Sequence, residues 1–187
     1  MNNVKELQTI EETLRYLQFD NWEQSAPGLA RSYELLGLLG DPQKKLKFVH
    51  IAGTNGKGST AAMLASVLQS AGYRTGLYTS PHLLRFHERM RVNGKEIDDT
   101  SLISLTNAVR NAAERMSEMP TGFEIMTAIA FLYFVQERCD IVSLEVGLGG
   151  RMDSTNVIPA PVVCVVANIG LEHTAILGDT VEKIAAE

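Results

Sequence analysis

Residues Lys47 to Thr60 read KFVHIAGTNGKGST, an apolar run (Phe48, Val49, Ile51, Ala52) followed by three glycines within six residues, Gly53, Gly56 and Gly58. From Ser59 a helical apolar spacing begins, with Met63, Leu64, Val67 and Leu68. That order predicts a buried strand, a glycine loop and a helix. Such a turn cradles phosphate, because glycines let backbone N–H groups converge and the helix N-terminus adds roughly half a positive charge. Gly53, Thr54, Asn55, Gly56, Lys57, Gly58, Ser59 and Thr60 are therefore the candidate nucleotide-binding residues. Lys57 supplies a full charge for the outer phosphates, and Ser59 or Thr60 a hydroxyl for Mg²⁺. The spacing departs from G-x-x-x-x-G-K-[ST], since Gly58 separates Lys57 from Ser59 and no glycine lies five residues before Gly56.

The bulk numbers fit that reading. At 187 residues the chain has the length of one domain. A hydrophobic fraction of 45% and a charged fraction of 21% are those of an ordinary globular protein. The formal charge of −5 gives no electrostatic case for nucleic acid or an anionic membrane as a partner. Positive field is local, around Lys57 and the cluster Arg85, Arg89, Arg91. MNNVKELQTIEETL has neither a basic start nor an apolar core, so no secretory signal is read. The longest apolar run, Val162 to Ala167, is too short to span a bilayer. Cys139 and Cys164, without CxxC spacing, read as buried thiols, and the expected compartment is the cytoplasm.

Leu7, Ile10, Leu14 and Leu17 predict an amphipathic first helix, and Phe19 to Pro27, with the single tryptophan Trp22, reads as irregular. A helix from Leu29 to Leu39 is closed by Gly40 and Asp41-Pro42, and the helix from Ser59 ends at Gly72. Thr75 to Thr79 is a short strand, and Asn93-Gly94 marks a hairpin between Glu88–Val92 and Lys95–Ile97. Helices are predicted from Asp98 to about Met116, from Phe123 to Arg138, and from Asp179 onward. Ile141 to Val146 and Val162 to Ala167 are β-branched strands. The alternation gives an α/β fold, a mostly parallel sheet flanked by helices on both sides.

In such sheets ligands sit beyond the carboxyl ends of the strands. Four strands end in polar sequence: the glycine loop, Ser80-Pro81-His82, Glu145 with Gly147–Arg151, and Asn168–His173. A shared rim gathers Lys57, Ser59, Ser80, Glu145 and His173 around a γ-phosphate. A carboxylate inside an apolar strand, as at Glu145, needs a partner. A bound cation is one, and Arg151 is the other available in sequence. Oxygens with a single imidazole suit Mg²⁺ or Mn²⁺ better than zinc.

IAGTNGKGST, TSPHL (Thr79–Leu83), FHERMRVNG (Phe86–Gly94), TGFE (Thr121–Glu124), LEVGLGGRMDSTN (Leu144–Asn156) and NIGLEHTAILGDT (Asn168–Thr180) occur in this order, after GLARSYELLGLLGDPQ (Gly28–Gln43). Together these motifs resemble the bifunctional folylpolyglutamate synthase/dihydrofolate synthase branch of the Mur ligase superfamily. The resemblance implies a P-loop NTPase-like Mur ligase central domain over residues 1–187. It implies an ATP-dependent amide ligase that activates a pteroate or folate carboxylate as an acyl phosphate, which the amine of L-glutamate then attacks. It implies ATP and Mg²⁺ as cofactors, and dihydropteroate or reduced folate and L-glutamate as substrates; a monomer is expected.

By the same resemblance Ser59, Ser80, Glu145 and His173 are the metal ligands, and Lys57, Glu145 and His173 carry the catalysis. Thr121, Gly122, Phe123, Glu124, Met152, Asp153 and Ser154 contact the pterin-bearing substrate. Glu124 in the first turn of a helix also suits an ordinary N-cap. The family carries a second, glutamate-binding domain and a metal-supporting lysine that this sequence does not contain, so the chain is expected to be an N-terminal piece with little activity alone. The rivals are another Mur-type amino-acid ligase and a nucleotide-binding module without ligase activity.

Overall fold

The computed structural model describes residues 6–18 and 28–187. The irregular segment predicted around Trp22 lies outside the described residues. Strands β1 (Phe48–Ala52), β2 (Thr75–Tyr78), β3 (Met90–Val92), β4 (Lys95–Glu96), β5 (Ile141–Glu145) and β6 (Val163–Val166) form one sheet in the order β4-β3-β2-β5-β1-β6. The pairs β2–β5, β5–β1 and β1–β6 are parallel, while β3 and β4 fold back as an antiparallel hairpin on Asn93-Gly94. The predicted mostly parallel sheet is therefore present. Helices are α1 (Ile10–Leu17), α2 (Ala30–Leu38), α3 (Lys57–Ser70), α4 (Asp99–Ala113), α5 (Gly122–Gln136), α6 (Thr174–Leu177) and α7 (Val181–Ala185).

Strand alternation sorts the core. Val49, Ile51 and Ile141 face α3 through Ala61, whereas Phe48, Tyr78, Val142 and Leu144 face α5. Helix α5 is apolar all round, as a helix covered on both sides must be. One side meets the sheet, where Phe131 lies edge-on to Phe48 with ring centroids 5.6 Å apart; the other side meets α2 and α4. Gly76 of β2 has no side chain because Phe134 occupies the space: a Cβ there would stand 2.8 Å from its ring.

Several boundaries differ from the sequence expectation. The helix read from Ser59 begins at Lys57, because Gly56 at φ 84° turns the chain directly into it. The helix read through Arg138 stops at Gln136, with Arg138 in the left-handed region at φ 53°. The first helix starts at Ile10, where Thr9 and Glu12 close a capping box. Cys139 is buried as expected, but Cys164 is exposed, since β6 is the last strand of the sheet and only Val165 on it packs against the core among the described residues. Among the described residues no helix is long and apolar enough to cross a membrane.

Candidate active site

The parallel strands carry their carboxyl ends to one edge, and the turns there are tied to one another. Thr54 N–H donates to Asn168 O at 2.7 Å, and the Thr54 hydroxyl both donates to Gly170 O and accepts from Gly170 N–H at 3.1 Å. The glycine loop is thus stitched to the turn after β6. Gly53 allows this approach, since a Cβ on it would meet Ala167 and Asn168 at 3.1 Å and its φ is +136°.

Lys57 stands at the first position of α3 and folds back over the loop, its Nζ donating to Gly53 O at 2.6 Å and Thr54 O at 3.0 Å. It lines a cavity of about 180 Å³ shared with Gly53, Gly147, Gly149, Glu172 and His173. His173 is half-exposed, sits on left-handed backbone at φ 47° as the residue that starts α6, and has Nε2 3.4 Å from Glu172 Oε1. Helix α6, four residues long, was not read from the sequence; so short a helix shows no periodicity.

Glu145 ends β5 on the α3 side and is 4% exposed. Its Oε2 accepts the Ser80 N–H at 2.9 Å, and the same oxygen would lie 3.3 Å from a Cβ on Gly58. Burial pushes its carboxyl above the usual range, opposed by the Ser80 N–H, the charges of Lys57 and Arg89, and the Gly58 N–H. Arg151 does not pair with it; that guanidinium pairs with Glu187. No basic side chain lies within ion-pair distance of Glu145 among the described residues. Lys57 is the common neighbour, acting on Glu145 electrostatically and sharing a cavity with His173. No contact joins Glu145 to His173 directly, and no group of three or more His, Cys, Asp or Glu side chains could hold a metal among the described residues.

The raised carboxyl gives a signed prediction. A carboxyl that is harder to ionise folded than unfolded favours the folded state most below the unfolded value, and that contribution is lost as pH rises through the folded value. At pH 7 Glu145 therefore costs stability, and Glu145→Gln is expected to raise the melting temperature of the ligand-free chain. Thermal melts from pH 4 to 8 check it: the gain should shrink toward acid, and a destabilised variant at pH 7 would contradict the assigned cause.

The second group of sequence-predicted residues is brought together by α5 and the turn after β5. Thr121 caps α5 in a capping box with Glu124. Buried Glu124 also accepts from Arg31 Nε at 3.1 Å and lies 3.4 Å from the Ser32 hydroxyl. Sequence reasoning missed Arg31, yet it lies four residues before Leu35, on the apolar stripe of α2, which was the available signal. Phe123 rests on Gly147, where a Cβ would stand 2.4 Å from its ring. Ser154 Oγ meets Thr127 Oγ1 at 3.1 Å, Asp153 is buried, and Met152 is exposed. Asp153 gives its oxygens to its own turn: Leu148 N–H and Thr155 N–H at 2.9 Å each, and the Thr155 hydroxyl.

No protein-family model matches the chain. Among curated proteins it is 49% identical over 166 residues to the dihydrofolate synthase/folylpolyglutamate synthase of Bacillus subtilis, covering 86% of this chain and 38% of that protein. It is 40% identical to the folylpolyglutamate synthase of Lacticaseibacillus casei, covering 92% of this chain and 42% of that one. Among solved structures it superposes on a folylpolyglutamate synthase (FPGS) complex with AMPPCP and folate at a TM-score of 0.90 and 40% identity, over 95% of this chain and 44% of that chain. It also superposes on the E. coli FolC structure with DHPP and ADP at a TM-score of 0.87 and 39% identity, over 95% of this chain and 42% of that one. The chain thus spans about two fifths of the length of the relatives it matches. With sequence and backbone agreeing over nearly all of the chain, it belongs to the folylpolyglutamate synthase/dihydrofolate synthase family.

Proposed function

We propose that this chain is the N-terminal, ATP-binding part of an ATP-dependent amide ligase that joins L-glutamate to dihydropteroate, to folate polyglutamate tails, or to both, through an acyl phosphate. The observation that carries the reading is Glu145: a buried carboxylate with no ion-pair partner among the described residues, held by Ser80 N–H and set against Gly58 of the phosphate loop. Relatives solved with AMPPCP, ADP, folate and DHPP support it.

Glu145 with the hydroxyls of Ser59 and Ser80 would make an oxygen-rich set of the kind Mg²⁺ takes, with His173 the candidate fourth ligand. When bound, Mg²⁺ would neutralise phosphate charge during transfer to the substrate carboxylate. The N–H groups from Gly56 to Thr60 would orient the phosphates, and Lys57 would leave its two loop carbonyls to meet the outermost one. Thr121–Glu124 and Met152–Ser154 would face the pterin-bearing substrate. The family's remaining length would supply the glutamate site, so this chain alone would bind nucleotide weakly and release phosphate slowly. A monomeric, cytoplasmic protein completes the reading.

Phosphate release from ATP tests it. In the longer protein, dihydropteroate is expected to stimulate release at least about tenfold, whereas a nucleotide-binding module without ligase activity would show no stimulation. In this 187-residue chain release should stay near background with ADP binding retained. Turnover matching that of the full-length relatives would overturn the division of labour.

A further inference from the structure

A buried polar chain runs between the strand that feeds the phosphate loop and the glycine-rich turn after β5. His50 lies on β1, its side chain on the face opposite Val49 and Ile51. Its Nε2 is 2.8 Å from Thr155 Oγ1, which is 2.5 Å from Asp153 Oδ1. Asp153 in turn takes the N–H groups of Thr155 and, through its other oxygen, Leu148, so it is satisfied as an acceptor. A hydroxyl has one proton to give, and Asp153 receives it. The His50 nitrogen facing Thr155 is therefore the donor, which assigns the Nε2–H tautomer. Burial lowers the ring to about 4, so it is neutral across the neutral pH range.

The turn these groups anchor carries Gly147, Gly149 and Gly150, and glycines leave a backbone loose unless something else holds it. Asp153 fixes the internal shape of the turn. His50 differs in belonging to another strand, so its contact with Thr155 ties the turn to β1, the strand that leads into the loop at Gly53. Gly147, Leu148 and Gly149 line the cavity that contains Lys57. We propose that His50 is a positioning residue, holding the Gly147–Thr155 turn in register with the phosphate loop so that one end of the turn meets the nucleotide and the other the pterin-bearing substrate. This rests on the nucleotide- and folate-binding reading above.

The test pairs two amides. Glutamine places its side-chain N–H₂ about as far along as histidine Nε2, whereas asparagine falls short. His50→Gln is expected to keep wild-type hydrogen exchange at the Leu148 amide and wild-type affinity for ADP with Mg²⁺. His50→Asn and His50→Leu should exchange Leu148 roughly tenfold faster and bind ADP roughly 3- to 10-fold more weakly, the range of one lost hydrogen bond. Unchanged Leu148 exchange in folded His50→Asn, or no recovery in His50→Gln, would overturn the proposal. So would an Nδ1–H tautomer in the ¹⁵N spectrum of the unmutated chain, a measurement that needs no variant. Wild-type chain that bound no ADP would remove the nucleotide reading instead, while Leu148 exchange would still decide the role of His50.

Discussion

Lys57→Ala is expected to weaken ATP–Mg²⁺ binding about 100-fold, close to 2.7 kcal/mol, while the chain keeps its fold. The size follows from what Lys57 offers: a full charge at the first position of α3, beside backbone N–H groups that contribute only partial charges. In the ligand-free structure its Nζ is occupied by Gly53 O and Thr54 O. Alanine therefore also frees two loop carbonyls, partly exposed and able to take water, at a cost of about 1 kcal/mol. Titration calorimetry with the non-hydrolysable analogue AMPPCP, alongside a thermal melt, separates the two effects. A variant that melted near wild type and bound AMPPCP equally well would leave the phosphate cradle without its cation, and the nucleotide reading would fall with it.

Phe134→Ala should cost about 3–5 kcal/mol, the most severe single loss of stability expected among these variants. Phe134 is fully buried, and the ring fills the gap above β2 that Gly76 leaves. Gly76→Ala alone should cost about 1–3 kcal/mol, because its methyl would meet the ring at 2.8 Å with sheet behind it. Made together, the two changes should cost less than their sum, since the new methyl enters space the ring has vacated. Urea denaturation of the four chains closes the cycle. Strict additivity would mean that the glycine and the ring do not constrain each other, contrary to the packing described.

The sheet and the phosphate loop were legible because both announce themselves locally. The apolar run Phe48–Ala52 gives way abruptly to glycines, and the strand–helix alternation dictates parallel pairing. Asn93-Gly94 carried the hairpin for a similar reason, both residues adopting positive φ. What stayed hidden depends on partners distant in sequence. Arg31 meets Glu124 across 93 residues and His50 meets Thr155 across 105, and no local pattern joins either pair. The exposure of Cys164 was likewise illegible, because a β-branched strand reads the same at the centre of a sheet as at its margin. For the strand-end residues, the polar turns gave the candidates; that Lys57 acts on Glu145 and shares a cavity with His173 is information only the folded chain holds.

The two flanks of the sheet are unequal. On one side β4 is two residues long and studded with charge, Glu96 taking both Arg85 and Arg91, which discourages any strand from joining there. On the other, β6 offers Val163 at 48% and Val166 at 68% exposure, and its outer edge takes no further strand among the described residues. Lateral growth has a single berth, and Val166 also borders the cavity of Lys57. A strand arriving there, from more of the same polypeptide or from a neighbour, would raise a new wall beside that cavity, so that widening the sheet and enclosing Lys57 would become one step.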